Sequence, residues 1–520
     1  MKNKKIQSLV MLFILTFCPF TLNINATPTD HFDIPEDSTL FTSISNGITE
    51  DFDPLCDIQL TFEIQKIRSL ERTEPQLFVE KKIDTLSKPD FYVIVTINNV
   101  NFTSPVWNNK RYLYDYNWTE TVDVPDDNES VTIRIQLWDW NQGFDKLCDI
   151  SSYNHDKFLL NYDAEITYSI ANGHWFGDDY VSDPSGYGRL NGCDDHSYYQ
   201  KERDCELWFD VSQTDPDGDG IPYWTEVNVL HTDPTVNNRG WDNDSDGAPI
   251  EWEYKWGYNP FIWEDHRNLD PDKDGLDNGE EYLTSQWDSD PFRKDLFIEL
   301  DQMEKDSNDL MVQFPNDSKE LLATAYDSRN IVLHLDDGCL GGGETIPFTQ
   351  KKLNSFDLGR YYYQYFLHGN KSNWRVGVFH YTLNVYNAGW AGYVFSNGYN
   401  NHPDSVQISV KYHENFTTQH PFYNLRRKTL NIQTQRELVY AGVLMHEIGH
   451  TLGIFHGNTP GADNGKTVKP SQYDYWKYGP YKSVMNYRYV YSGMVDYSDG
   501  SRGKNDFDDW YSLDLTFFQN

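Results

Sequence analysis

The sequence predicts a multidomain protein in which an all-β sandwich, a linker of acidic loops and an α+β domain with a mixed sheet follow one another. Three observations predict this order. Residues 54–212 contain β-branched runs separated by turn residues, residues 213–291 repeat one acidic pattern three times, and residues 292–520 combine short strands with a long apolar helix. At 520 residues the chain is also long enough to need more than one hydrophobic core.

The amino terminus has the features of a secretory signal peptide over residues 1–26. Lysines near the start precede an apolar run over residues 9–20, and Ala26 closes a small-residue cleavage site. The apolar run is too short to favour a membrane span. Residues 27–53 form a short linker. We expect a secreted, extracellular protein, with cell-surface association through an uncleaved anchor as the alternative.

Cysteine usage agrees only in part with export. Cys193 and Cys205 are close in sequence and Cys56 with Cys148 is a second candidate pair, which leaves Cys339 over, but spacing does not fix the pairing. Glycosylation sequons make the chain a candidate glycoprotein. After the signal peptide they begin at Asn101, Asn117, Asn128, Asn243, Asn316, Asn370 and Asn415.

The net charge of −37 excludes nucleic acid as an expected partner, because a surface of this sign repels the phosphate backbone. Two interpretations of the acidic residues stay open. They form a solvated surface, or many of them hold cations.

The linker favours the second interpretation, because one loop pattern occurs in it three times. Oxygen-bearing side chains stand at positions 1, 3 and 5, a glycine at 6 and a glutamate at 12, which is the ligand pattern of a calcium loop. Position 7 adds a backbone carbonyl. The candidate calcium ligands are Asp215, Asp217, Asp219, Ile221 and Glu226, then Asp242, Asp244, Asp246, Ala248 and Glu253, then Asp270, Asp272, Asp274, Leu276 and Glu281.

These three loops resemble thrombospondin type 3 repeats and other extracellular EF-hand-like loops. The resemblance implies about three or more structural Ca²⁺ ions that stiffen the linker. A dockerin fits less well, since dockerins carry two such loops and these three lie in mid-chain. Acidic turns that bind no ion are the remaining alternative.

The α+β domain carries a zinc-site pattern, His446-Glu447-x-x-His450 followed by Gly453 and His456. Histidines four residues apart lie on one face of a helix and can reach one ion at about 2.0–2.1 Å. Glu447 lies beside the first ligand and can accept a proton from water without binding the metal. Gly453 permits the sharp turn that returns His456 as a third ligand. Three nitrogen ligands leave one position open, which is typical of catalytic zinc.

Residues 292–520 resemble the metzincin metalloproteases. The resemblance rests on the extended histidine motif and on Ser483-Val-Met485-Asn-Tyr487, which matches the methionine turn below the zinc. It implies one catalytic Zn²⁺, a structural role for Met485, and Tyr487 as a catalytic residue and further zinc ligand. A buried tyrosine without that role is the alternative for Tyr487. The resemblance also places the edge strand above the cleft within residues 388–394, where it would bind an extended peptide.

The sandwich resembles a C2 domain in its loops. Asp84 and Asp90 precede one strand, and Asp139, Asn141 and Asp145 follow another, which implies calcium at these five residues. The pattern departs from the family because Asn141 replaces an aspartate and Asp145 falls early. Contact with membrane lipid and a role in adhesion or positioning are alternatives for this domain.

Together these motifs predict a secreted, zinc-dependent metalloendopeptidase that acts on a protein or peptide substrate, with Glu447 as the general base. Two other functions stay open. One is an inactive or weakly active calcium-dependent surface or adhesion protein, against which the intact Glu447 argues. The other is a zinc amidase on cell-envelope substrates.

Overall fold

A computed structural model of the chain describes residues 57–70, 83, 88–125, 128–151, 162–179, 188–193, 203–399, 403–418 and 430–519. The predicted signal peptide over 1–26, the linker over 27–53 and the candidate ligand Asp84 lie outside the described residues. Among the residues described, no helix has the length and apolar character that a membrane span requires.

The amino-terminal region is built of antiparallel strands. In chain order they are β1 Gln59–Ser69, β2 Phe91–Ile97, β3 Val100–Thr103, β4 Tyr112–Asp123, β5 Ser130–Asp139, β6 Lys146–Leu147, β7 Ala164–Ser169, β8 Trp175–Gly177, β9 Gly188–Asn191 and β10 Cys205–Gln213. They form two sheets, with the strand orders β4-β1-β10-β9 and β3-β2-β5-β7-β8, and β6 pairs with β5. Phe62 and Phe209 of the first sheet share one core with Val93 and Ile135 of the second. The β-rich architecture predicted for this region is confirmed.

The linker carries short helices, α1 Tyr223–Thr225, α2 Ile250–Trp256 and α3 Asn278–Thr284. A π-helical turn over Glu226–Leu230 continues α1. Trp252 and Trp256 of α2 lie in one apolar cluster with Trp208 of β10 and Val332 of the following domain. The linker is therefore packed against the structure on both sides of it.

The α+β domain consists of β11 Asp295–Met303, α4 Asn316–Asp327, β12 Val332–Asp336, β13 Thr345–Ile346, α5 Ser355–Tyr361, β14 Phe379–Val385, β15 Gly392–Val394, β16 Ser405–Ser409, α6 Val410–Thr418, α7 Ile432–Thr451, α8 Tyr473–Lys477 and α9 Asp509–Ser512. Its sheet is mixed. The order is β12-β11-β14-β16-β15, with β13 on β11, and all pairs are parallel except β15 with β16. The antiparallel β15 lies at one end of this order.

Helix α7 is the longest helix of the described chain and carries the histidine motif. Asn431 caps it, because its side chain accepts a hydrogen bond from Thr434 N at 2.9 Å. Every residue from 437 to 451 is buried, as an apolar helix in the middle of a domain requires. The chain leaves the helix through Gly453, whose φ of +89° is accessible to glycine at little cost.

The carboxyl-terminal segment differs from the helix over residues 507–518 that its apolar spacing predicts. Only α9 is helical, since Leu513 returns to an extended conformation with ψ 133°. Asp514 N then donates to Leu452 O at 3.1 Å. The segment thus gives up helical hydrogen bonds in order to pack against the end of α7.

A buried ion network joins the sandwich to α4. Arg68 of β1 contacts Glu320 at 3.0 Å and Asp327 at 2.8 Å, and Arg189 of β9 lies 3.5 Å from Asp327. Asn191 Nδ2 donates to the Asp327 carbonyl at 2.8 Å. Because Arg189 is fully buried and Asp327 is 3% exposed, water cannot replace these contacts.

Replacing Asp327 by alanine is expected to lower the free energy of unfolding by about 3–5 kcal/mol, since it removes a carboxylate shared by two buried guanidinium groups. Urea unfolding of the full chain measures this loss. Asp337→Ala is the matched control, because Asp337 pairs with Lys319 of the same helix and both side chains are partly exposed, where such a pair contributes about 0–1 kcal/mol. Equal losses in the two variants would contradict the role of the network.

Candidate metal centres

Three imidazoles are oriented by backbone carbonyl groups. His446 Nδ1 donates to Val484 O at 2.8 Å, His450 Nδ1 to Ile454 O at 2.7 Å, and His456 Nδ1 to Ala462 O at 2.8 Å. These bonds place a proton on Nδ1, so Nε2 is the nitrogen of each ring that a metal ion would use. Metal-binding histidines are held in this way, with the second nitrogen bonded to a carbonyl or carboxylate.

The Ser483–Tyr487 segment lies directly below these histidines. Its Val484 carbonyl is the acceptor for His446, and Met485 is fully buried. A Cβ at Gly449 would lie 2.5 Å from Met485 Sδ, so α7 crosses this turn at close range. The Tyr487 ring stacks on His446 with 5.6 Å between ring centroids. The structure therefore brings Met485 and Tyr487, which follow the histidine motif by 29 and 31 residues, against that motif.

The Glu447 side chain extends from α7 to the edge strand β15. A Cβ built on Gly392 of β15 would lie 2.2 Å from Glu447 Oε1, so the strand backbone touches the carboxylate. Burial raises the pKa of Glu447, and the positive charge of His446 and His450 acts in the opposite direction. A carboxylate with a raised pKa in this position is suited to accept a proton near neutral pH.

Replacing Gly392 by alanine is expected to lower kcat/KM for peptide hydrolysis by about 10²-fold, because the new methyl group displaces the Glu447 carboxylate by a distance on the order of 1 Å. Zinc content should not change, because Glu447 does not need to touch the metal. Gly465→Ala serves as the control, since no atom lies within 4 Å of a Cβ at that position. If Gly392→Ala keeps wild-type kcat/KM, Glu447 is not constrained by β15.

Asp463 is a site residue that the sequence motifs do not indicate. Its Oδ1 lies 3.2 Å from His446 Nε2 and its Oδ2 lies 3.3 Å from His450 Nε2. Ligand atoms of these three residues all lie within 4.8 Å of one another. His456 and Asp463 line one cavity. No spacing rule could have identified Asp463, because residues 456–463 form neither a helix nor a strand.

The charges of this site depend on Asp463. Burial lowers the pKa of His450, but the hydrogen bond with Asp463 and the charge of Glu447 outweigh that effect and raise the pKa to about 9. Burial would raise the Asp463 pKa, yet its bonds with His446 and His450 hold it well below the usual range. Asp463 is therefore ionised over the working pH range.

The three acidic loops share one backbone conformation. In each loop the first aspartate accepts from the N–H groups of positions 4 and 6, at distances of 2.7–3.1 Å. Position 6 has a φ between +97° and +106°, which favours glycine. The aspartates at positions 1, 3 and 5 of each loop place their oxygens within 4.8 Å of one another.

The glutamate at position 12 of each loop is buried without sufficient partners. Glu226, Glu253 and Glu281 are at most 1% exposed. Both carboxylate oxygens of Glu253 and Glu281, and one of Glu226, have no hydrogen-bond donor. Because a buried unpaired carboxylate costs several kcal/mol, this arrangement fits a divalent cation bound among the oxygens.

Two residues outside the twelve-residue pattern, Glu264 and Asp295, form hydrogen bonds with the loops. Glu264 has a buried unpaired oxygen, and its N–H donates to Asp246 Oδ2 at 3.1 Å. Asp295, the first residue of β11, donates its N–H to Asp274 Oδ2 at 2.6 Å and accepts from His334 at 2.6 Å. The third loop is thus connected directly to the sheet of the α+β domain.

In the loops that resemble those of a C2 domain, the polar residues form hydrogen bonds with one another. Asp139 Oδ1 accepts from Asp90 N at 2.9 Å, and Asp139 Oδ2 accepts from the Asn141 side chain at 2.7 Å and lies 3.4 Å from Lys146 Nζ. Asn141 N donates to Asp145 Oδ1 at 2.9 Å. The protein itself supplies donors and a cation here, so the geometry gives no support to calcium at these residues.

No protein-family profile and no curated protein sequence matches the chain. Solved structures similar to parts of it include C2 domains. One titled "Structure of a C2 domain" is 16% identical, covers 30% of this chain and 98% of that one, and has a TM-score of 0.17. Human GIVD cytosolic phospholipase A2 is 15% identical over 30% of this chain and 16% of its own length, with a TM-score of 0.18.

A C2 domain protein from Ramazzottius varieornatus is 10% identical, covers 30% of this chain and 87% of that one, and has a TM-score of 0.20. The chain spans only about a sixth of the phospholipase. TM-scores at this level do not establish a C2 fold. The two-sheet architecture stands on its own strand pairing.

Proposed function

We propose that this protein is a secreted zinc metalloendopeptidase of the metzincin type whose linker is stabilised by calcium. One observation carries the proposal. Three histidines in the HExxHxxGxxH pattern each donate Nδ1–H to a backbone carbonyl, and the glutamate of the same motif lies buried beside them. This donor set, with imidazole nitrogens turned away from their carbonyl partners, fits Zn²⁺.

His446, His450 and His456 would hold the ion, and Tyr487 would be placed to add its hydroxyl. Bound zinc lowers the pKa of water to about 7 and polarises a carbonyl group. Met485 supports the site from below through its contact with Gly449.

Glu447 moves the protons of the reaction. Its carboxylate accepts a proton from the attacking water and then delivers it to the amine that leaves when the peptide bond breaks. Burial raises the Glu447 pKa, which favours its protonated form after the first transfer. The Tyr487 hydroxyl can donate to the oxyanion that develops on the substrate carbonyl.

The substrate is a protein or peptide in an extended conformation. The edge strand β15 pairs with β16 and lies against Glu447 through Gly392. Strand addition along β15 would supply backbone hydrogen bonds and bring a scissile peptide beside the carboxylate. Trp390, just before β15, is 71% exposed and offers an apolar contact for a substrate side chain.

Hydrolysis of a peptide library by the full chain in calcium buffer tests the proposal. We expect cleavage at peptide bonds, loss of cleavage with a zinc chelator that spares calcium, and recovery with one equivalent of Zn²⁺. Cleavage of cell-envelope amides alone would make the protein an amidase. Absence of hydrolysis with zinc bound would contradict the proposal and favour a surface or adhesion role.

A further inference from the structure

Asp463 is held in the histidine site by a backbone conformation that few residues adopt. Its φ is +52°, which aspartate tolerates better than most side chains but at a cost. Its N–H donates to Met485 O at 3.1 Å, and the preceding carbonyl, Ala462 O, accepts from His456. The same short segment therefore orients one histidine, bonds the methionine turn and directs a carboxylate at the other two histidines.

The Asp463 carboxylate contacts the nitrogens that face away from the orienting carbonyl groups. Its two oxygens lie 3.2 Å from His446 Nε2 and 3.3 Å from His450 Nε2. Ligands bound at about 2.0–2.1 Å to a tetrahedral ion are about 3.3 Å apart, so this spacing is that of neighbours in one coordination sphere. Burial raises the pKa of Tyr487, and the negative charge of Asp463 raises it further.

A supporting role outside the coordination sphere does not account for this contact. An outer carboxylate bonds the nitrogen that a histidine does not use for the metal. Here Nδ1 of His446 and of His450 is already bonded to a carbonyl, and Asp463 faces Nε2.

We propose that Asp463 is itself a zinc ligand in the resting protein and occupies the coordination position that water and substrate need. The inference rests on the proposed zinc site. In the resting state three imidazoles and one carboxylate close the site. The carboxylate must leave the ion before a substrate carbonyl can approach.

Asp463→Asn tests the inference, because asparagine keeps the shape and tolerates the same backbone conformation but lacks the charge. Zinc affinity of the full chain is measured by competition with a chelator, in excess calcium. We expect the variant to bind zinc at least tenfold more weakly. With Co²⁺ in place of zinc, we expect its visible absorption bands to shift, because one oxygen ligand is lost.

A small ligand tests whether the position is occupied. Acetohydroxamate added to the Co²⁺ protein must displace Asp463 in the wild type but not in the variant, so we expect it to bind the variant about tenfold more tightly. Asp474→Asn is the control, since Asp474 accepts from Asn464 Nδ2 at 3.1 Å in the wall of the same cavity. That variant should match the wild type in both measurements.

The outcomes distinguish a failure of the proposed zinc site from a failure of the role of Asp463. If the wild-type chain binds neither zinc nor cobalt, the proposed function fails and this inference falls with it. If the wild type binds metal and Asp463→Asn has the same affinity, spectrum and acetohydroxamate binding, only the role of Asp463 is overturned.

Discussion

Replacing Glu447 by glutamine is expected to lower kcat for peptide hydrolysis by about 10²–10⁴-fold and to leave zinc content unchanged. Glutamine keeps the size of the side chain and fills the same space against Gly392. It has no basic carboxylate, so the attacking water keeps its proton. Zinc is retained because the histidines and not Glu447 supply its nitrogen ligands.

Glu437→Gln is the matched control for this experiment. Glu437 lies on the same helix, nearly three turns before Glu447, and burial raises its pKa as well. The control makes the same chemical change away from the histidines and should keep wild-type kcat. A Glu447→Gln protein with bound zinc and full activity would contradict the assignment of the base.

Removal of calcium is expected to lower the free energy of unfolding by about 8 kcal/mol, when free calcium before chelation is about 100-fold above the dissociation constant of each loop. One site at that saturation contributes about 2.7 kcal/mol, and three loops carry the ligand pattern. The effect should reach both folded regions, since the linker core includes Trp208 of β10 and Val332 of β12. Thermal or urea unfolding with and without chelator measures it.

The calcium effect should also grow as the pH rises from about 5 to 9. In the calcium-free protein burial raises the pKa of Glu253 to about 9 and that of Glu226 to about 7. The folded state then holds protons that the unfolded chain releases above about pH 4.5, so the calcium-free protein loses stability through this range. Unfolding curves at pH 5.5 and 8.5 give the comparison.

Single variants distinguish calcium binding by the loops from a general effect of acidic residues. Glu253→Gln removes a position-12 ligand and should reduce the calcium increment by about one site, about 2.7 kcal/mol. Glu251→Gln, on the same helix, makes the same change outside the ligand pattern. Melting curves that do not depend on calcium would contradict the stabilising role of the loops.

Local patterns predicted the parts of the structure that contiguous residues determine. The β-branched runs predicted the sandwich strands, and the spacing of apolar residues predicted the helix of the histidine motif. Residues brought together by packing were not predictable in this way. Gly392 meets Glu447 only because β15 closes the sheet beside α7, and Asp295 joins the third loop only because β11 begins there.

At the carboxyl terminus, local spacing predicted a longer helix than the structure forms. Trp510, Leu513 and Phe517 have helical spacing, yet a single turn forms, because tertiary hydrogen bonds replace helical ones. Trp510 Nε1 donates to Asp496 at 3.0 Å, and Gln519 donates to Gly275 O of the third loop at 2.6 Å. A local period cannot anticipate such contacts.

The central claim is that three imidazoles of one motif bind a single zinc ion next to Glu447. Anomalous diffraction at the zinc absorption edge, from crystals of the full chain, tests it most directly. We predict one strong peak at about 2.0–2.1 Å from Nε2 of His446, His450 and His456. Zinc-supplemented, proteolytically active crystals with no peak at these nitrogens would contradict the account.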